Sequence, residues 1–291
     1  MKAALLQQKY TGDKESMIES TISEIERAAR DGAELIVLQE LHQSEYFCQS
    51  EDTAFFRYAD TYKDDIARWS TVAADNGVVL VASLFEKRAP GLYHNTAVVF
   101  DSDGSRAGIY RKMHIPDDPG FYEKFYFTPG DIGFEPVDTS LGRLGVLVCW
   151  DQWYPEAARI MALKGAQILI YPTAIGCFDR DDDAEKERQF ESWRTIQRSH
   201  AIANGIPVLS CNRVGFEADP TGCLDGIRFW GGSFACGAQG EIIAQASKDR
   251  AQRLLIEIDL SRTESVRDIW PFLRDRRIES YDDILHRYCI P

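Results

Sequence analysis

A cysteine closes the apolar run Val146-Leu-Val-Cys149, and Trp150-Asp151 lead on to Tyr154-Pro155-Glu156, where proline suits the first turn of a helix. A thiol at such a strand-to-helix turn stands among outward-pointing backbone N–H groups, the position of an exposed nucleophile favoured as thiolate. Two earlier segments offer it partners. Leu35-Ile-Val-Leu-Gln-Glu40 ends on a carboxylate, and Tyr110-Arg-Lys112-Met-His-Ile-Pro supplies an ammonium. A thiol must lose its proton to attack a carbonyl or nitrile carbon, and Glu40 is the candidate base. The resulting oxyanion needs fixed positive charge, for which Lys112 and the backbone N–H of Trp150 are candidates. Each residue also has an ordinary alternative: Cys149 as a small buried hydrophobe, Glu40 and Lys112 as solvated charges. Only the three together in one pocket would make a site.

The elements that must position them are legible as apolar runs. Strand-like segments fall near residues 2–8, 34–39, 78–85, 94–100, 106–110, 143–149, 167–171, 207–211, 231–236, 241–245 and 253–258, and several are continuous Val/Ile/Leu runs suited to burial on both faces. Between them, Lys14 to Arg30 places Met17, Ile18, Thr21, Ile22, Ile25 and Ala29 on one helical face, with Gly32 as its stop. Further helical patterns lie near 61–76, 155–164 and 184–204. Hairpin signals at Asp101-Ser-Asp-Gly104 and Ala238-Gln-Gly240 sit beside β-α-β units, so the sheets should be mixed. This many strands exceeds a simple doubly wound sheet; two sheets packed face to face, with helices outside, fit better. Residues 1–259 are expected to form one domain, and 260–291 an apolar-rich extension that packs on it or on a neighbouring subunit.

Composition narrows the function. The 291 residues are 44% hydrophobic and 27% charged with no linker-like tract, ordinary values for one globular domain. A formal net charge of −13 argues against nucleic acid or an anionic membrane as partner, and no apolar run is long enough to span a bilayer. The short apolar stretch after Met1 does not suit a signal peptide, and seven cysteines without C-x-x-C pairs do not suit a disulfide framework, so a cytoplasmic, reduced setting is expected. The five histidines show no metal-ligand spacing such as H-E-x-x-H, and neither metal nor other cofactor is called for.

The segments L-Q-E-L with Glu40, Y-R-K-M-H-I-P with Lys112 and V-L-V-C-W-D-Q-W-Y-P-E with Cys149 resemble the three signature motifs of the nitrilase superfamily of carbon-nitrogen hydrolases, in the family's order. The resemblance implies an α-β-β-α sandwich and thiol-dependent hydrolysis of a non-peptide C–N bond. It also implies a second glutamate between the lysine and the cysteine, here Glu123, which would orient Lys112 and the substrate amide. Glu123-Lys-Phe-Tyr-Phe-Thr-Pro-Gly-Asp-Ile-Gly-Phe134, Trp193 to Asn204 and Phe229-Trp-Gly-Gly-Ser-Phe234 look most like the branch acting on N-carbamoyl amines. Cys211, Cys236 and the stretch Glu217–Leu224 depart from that branch's pattern. The family's interface elements further imply a homo-oligomer assembled from dimers.

A cationic carbamoyl amine needs an aromatic wall for its methylenes and an acceptor for its ammonium. Tyr46, Trp150, Trp153, Phe178 and Trp193 are candidate walls, and Glu185, in the acidic run that begins at Asp179, is the candidate acceptor. The alternative for that run is a solvated helix start. Carboxylate-bearing substrates of related enzymes (β-ureidopropionase, D-amino-acid carbamoylase, ω-amidase) would instead use an arginine, with Arg180, Arg194, Arg198 and Arg213 available, and a true nitrilase is a further alternative. A non-catalytic scaffold of the same fold would be expected to lack one of the four reactive residues, and none is missing.

Overall fold

A computed structural model describes residues 1–290; Pro291, the end of the expected extension, lies outside the described residues. The first sheet contains β1 (Lys2–Gln7), β2 (Leu35–Leu38), β3 (Val79–Ala89), β4 (Leu92–Phe100), β5 (Arg106–Arg111) and β15 (Gln252–Glu257), in the order β15-β1-β2-β3-β4-β5. The second contains β6 (Val137–Thr139), β7 (Gly142–Val146), β8 (Ile168–Thr173), β10 (Val208–Asn212), β13 (Phe234–Cys236) and β14 (Ile242–Gln245), ordered β14-β13-β10-β8-β7-β6. A small third sheet, absent from the sequence reading, joins β11 (Val214–Glu217), β12 (Ile227–Trp230) and β9 (Gly176–Cys177).

Alternation along the strands builds the layers, because successive side chains leave opposite faces of a sheet. Ala3, Leu5, Leu35, Val37, Val79, Val81, Ala97 and Val99 form one core with Leu144, Val146, Ile168, Ile170 and Val208 of the second sheet. The alternate residues Ala4, Leu6, Ile36, Leu38, Leu80, Ala82, Val98 and Phe100 instead meet α1 (Lys14–Arg30) and α2 (Tyr62–Asn76) through Ile18, Ile25, Ala28, Trp69 and Val72. The outer face of the second sheet is covered by α4 (Pro155–Leu163) and α5 (Asp183–Asn204), including Ala157, Met161, Trp193 and Ala201. The result is helix, sheet, sheet, helix. A four-residue turn, α3 (Glu123–Tyr126), carries Glu123, and α6 (Ser261–Ile269) follows the last strand. Within the 260–291 extension, α6 buries Thr263 and Val266 and its Arg267 donates to the Asn204 carbonyl at 3.0–3.2 Å, whereas Trp270, Ile278, Leu285 and Tyr288 are exposed.

Two parallel sets of strands bring the reactive residues to one place. β1, β2 and β3 run parallel, and β5, antiparallel to the intervening β4, runs the same way. Glu40 and Lys112 therefore leave the same edge of the first sheet. In the second sheet β7, β8 and β10 are parallel, and Cys149 follows β7. The Glu40 N–H donates to the Thr173 carbonyl at 3.3 Å, tying the two sets of strand ends together.

Candidate active site

Lys112, Glu40 and Glu123 meet out of solvent. The Lys112 ammonium donates to Glu40 Oε1 at 2.8 Å and to Glu123 Oε2 at 2.6 Å, and all three side chains have no exposed surface. Two carboxylates around one ammonium leave a surplus negative charge. Burial and the neighbouring Glu40 push Glu123 up to about 7, although Lys112 pulls the other way. Burial alone would lower Lys112, but Glu123 and Glu40 hold it well above the ordinary lysine range, so it stays a cation.

Asn95 is the residue the sequence reading missed here. Its amide donates to Glu40 Oε1 at 2.7 Å and reaches Glu123 Oε2 at 3.5 Å, spanning the two carboxylates. The available signal was an amide in the strand-like stretch of β4, between His94 and Thr96 and ahead of the apolar run Ala97–Phe100. With Lys112 and Asn95 both on Oε1, Glu40 Oε2 is left buried without a hydrogen-bond partner. It is a free acceptor, which is what a base needs.

Cys149 sits beside this cluster at the floor of a cavity of about 570 Å³ that Glu123 also lines. Its backbone is left-handed, φ +41°, a strained elbow for a β-carbon-bearing residue. The first hydrogen bond of the turn it opens runs from Asp151 N–H to Val148 O, leaving the Trp150 N–H free of that pattern. Asp151 holds the elbow: its buried carboxylate accepts from the Val148 N–H (2.9 Å), the Tyr110 hydroxyl (2.9 Å) and the His114 N–H (3.0 Å). Since Tyr110 and His114 flank Lys112, one carboxylate fixes the lysine segment to the cysteine turn.

The thiolate expectation is corrected. Burial, then the Glu40 carboxylate, push the Cys149 thiol well above its ordinary range, outweighing Lys112. The resting group is therefore S–H, and its Sγ lies 3.8 Å from the Ala174 carbonyl.

The turn after Glu40 is also strained, with Leu41 at φ +46°. Buried Arg213 braces it, donating to the carbonyls of Glu40 (3.2 Å), Leu41 (2.8 Å) and Ser44 (2.9 Å) and to Glu217 Oε1 (2.8 Å). Arg213 is thereby spent on backbone and is not available to a substrate. Arg194 pairs with Glu191 at 2.7 Å and Arg198 donates to the Gly240 carbonyl at 2.7 Å; Arg180 alone of the four lines the cavity.

Of the expected aromatic walls, Trp150, Trp153 and Phe178 line the cavity. Tyr46 and Trp193 do not, because both are wholly buried behind it. The Tyr46 hydroxyl donates to Glu123 Oε1 at 2.8 Å, and the Trp193 indole donates to Gln152 Oε1 at 2.8 Å, beneath the Cys149 turn. Proximity in sequence gave their neighbourhood but not the side on which they stand. Glu185 is in the cavity wall, but Arg188 (2.6 Å) and Gln189 (2.9 Å) occupy its carboxylate. Two other acids of the run are engaged: Asp179 pairs with Arg228 at 2.6 Å, and Asp182 caps α5 by accepting from the Glu185 N–H at 2.8 Å.

Among the described residues one trio could approach a metal, Asp283, His286 and Cys289, whose ligand atoms lie within 4.8 Å of one another; all three are exposed on the C-terminal extension. None of them lines the cavity.

Residues 2–268 match the carbon-nitrogen hydrolase family, and the chain belongs to that family of enzymes. An N-carbamoylputrescine amidase of Arabidopsis thaliana is 42% identical over 275 residues, 92% of this chain and 91% of that one. A citrullinase of Francisella tularensis is 38% identical over 292 residues, 99% of each. The crystal structure of a carbon-nitrogen hydrolase from Helicobacter pylori G27 superposes with a TM-score of 0.98 at 59% identity, covering 99% of both chains.

Proposed function

We propose that this enzyme hydrolyses N-carbamoylputrescine to putrescine, carbon dioxide and ammonia, as a step of polyamine synthesis. The observation that carries the reading is the buried Glu40–Lys112–Glu123 cluster, with one free carboxylate oxygen, at the Cys149 end of a largely apolar cavity. The similarity to N-carbamoylputrescine amidases over nearly the whole chain supports the substrate.

Glu40 Oε2 takes the thiol proton as Cys149 Sγ bonds to the ureido carbon, and Lys112 with the Trp150 N–H receives the oxyanion. Glu40 returns the proton to the terminal nitrogen, the C–N bond breaks, and ammonia leaves an S-carbamoyl enzyme. Water then attacks, giving its proton to Glu40, and the restored thiol releases a carbamic acid that decomposes to amine and carbon dioxide. Glu123 keeps Lys112 aimed throughout. Trp150, Trp153 and Phe178 line the path of the methylene chain.

A second reading is a ureido amino acid such as citrulline, which is N-carbamoylputrescine with a carboxylate added at the amine-bearing carbon. Arg180 favours it: its guanidinium lies over the Phe178 ring at 4.6 Å in the cavity wall, with no carboxylate partner among the described residues. A cytoplasmic homo-oligomer built from dimers completes the proposal. Seven unpaired cysteines among the described residues support the reduced setting, and the exposed apolar side chains after Ile269 support the assembly. Among the described residues no helix is long and apolar enough to cross a membrane. Incubation with N-carbamoylputrescine should yield putrescine and ammonia one to one, with none from Cys149→Ala; wild-type protein that releases neither would refute the proposal.

A further inference from the structure

We infer that Asp118 is the ammonium subsite of the cavity, the residue that selects a ureido substrate with a cationic far end; this rests on the N-carbamoylputrescine reading. Four carboxylates line the cavity, and three of them have a hydrogen-bond partner on the protein. Glu123 holds Lys112 and accepts from Tyr46, Glu185 holds Arg188 and Gln189, and Asp181 accepts from the Phe178 N–H at 3.2 Å. Asp118 Oδ1 is buried and has no hydrogen-bond partner among the described residues.

A buried carboxylate oxygen left without a donor costs on the order of 1–3 kcal/mol, so the position makes sense where a ligand supplies the missing donor. An ionised carboxylate only accepts, which fixes the ligand's chemistry as a donor, best a cationic one. Burial raises the Asp118 carboxyl, opposed in part by its own backbone N–H and then by Lys112. Asp118 lines the same cavity as Cys149 and Glu123, so one ligand can touch both.

The segment is built to hold still. Asp118-Pro119-Gly120-Phe121 is a tight turn closed by the Phe121 N–H on the Asp118 carbonyl at 2.9 Å, with Gly120 at φ +80° as its left-handed third residue. A β-carbon on Gly120 would come within 2.8 Å of the Phe178 ring, so the turn packs directly on an aromatic that lines the same cavity. A carboxylate and an aromatic ring in the wall of one cavity are the pair of features an alkylammonium needs.

The test compares kcat/KM for N-carbamoylputrescine with that for pentylurea, in which a methyl group replaces the ammonium. Asp118→Asn should lower the ratio about 10- to 100-fold, chiefly through KM for the cationic substrate. Asp118→Glu, which keeps the charge on a longer arm, should retain a preference between those of the other two forms. A merely structural role would depress both substrates together and leave the ratio where it was. If wild type prefers N-carbamoylputrescine and Asp118→Asn does not reduce that preference, the subsite is wrong while the function stands. If wild type does not turn over N-carbamoylputrescine at all, the parent reading falls and the subsite with it.

Discussion

At the scale of single residues, the site is organised around unequal charge. One ammonium serves two buried carboxylates, which leaves Glu123 at about 7 and Cys149 as a thiol. Because the folded value of Glu123 lies above its ordinary one, protonated Glu123 is favoured below about 7, and the ionised form that grips Lys112 is lost as pH falls through that value. The kcat/KM profile should therefore fall on its acid side with an apparent pKa near 7. The stability linkage runs the opposite way: the group's contribution is present at low pH and declines as pH rises through about 7. Glu123→Gln should abolish the acid limb and lower kcat; an unchanged limb in that variant would assign it to another group. Glu40, Lys112 and Cys149 were legible in the sequence because each ends or follows a strand-like segment and stands in a segment that resembles a family motif. Asn95, Asp151 and Arg213 were not, because hydrogen-bond partnership across the fold leaves no local spacing. Asp118 was hidden for the same reason: what marks it is the absence of a partner, which only packing reveals.

At the scale of elements, the strand ends set the distances, and one glycine shows how tightly. A β-carbon at Gly130 would lie 2.1 Å from the Arg111 carbonyl, and the Gly130 N–H donates to the Lys112 carbonyl at 2.9 Å, so this loop presses on the backbone that carries the lysine. Gly130→Ala should cost about 1–3 kcal/mol of stability and also reduce kcat, measured by chemical denaturation and steady-state kinetics. Full activity at reduced stability would mean that the lysine's placement tolerates the shift. Long periodic elements were readable before the structure: α1 spans Lys14–Arg30 as its apolar face predicts, and Gly32 follows at φ +87°. The sheet of β9, β11 and β12 was not readable, since its strands are only two to four residues long. Nor was α6, whose polar sequence carries only Thr263 and Val266 into the body.

At the scale of the whole molecule, the exposed apolar residues gather late in the chain. Ile269 is 75% exposed and Leu285 85%, values that suit burial against a neighbouring subunit better than contact with water. Sedimentation equilibrium at micromolar concentration should give a mass above that of one chain, and Leu285→Glu should reduce it; a monomeric wild type would contradict the assembly. The surplus negative charge of the molecule, −13, is of the sign that draws a cationic substrate inward. All three scales converge on a thiol enzyme for a cationic ureido compound. The most direct test is kcat/KM for ammonia release from N-carbamoylputrescine, citrulline and N-carbamoyl-β-alanine, with Cys149→Ala as the blank. The account predicts that N-carbamoylputrescine is turned over best and that the blank is silent; preference for N-carbamoyl-β-alanine, or turnover by the blank, would contradict it.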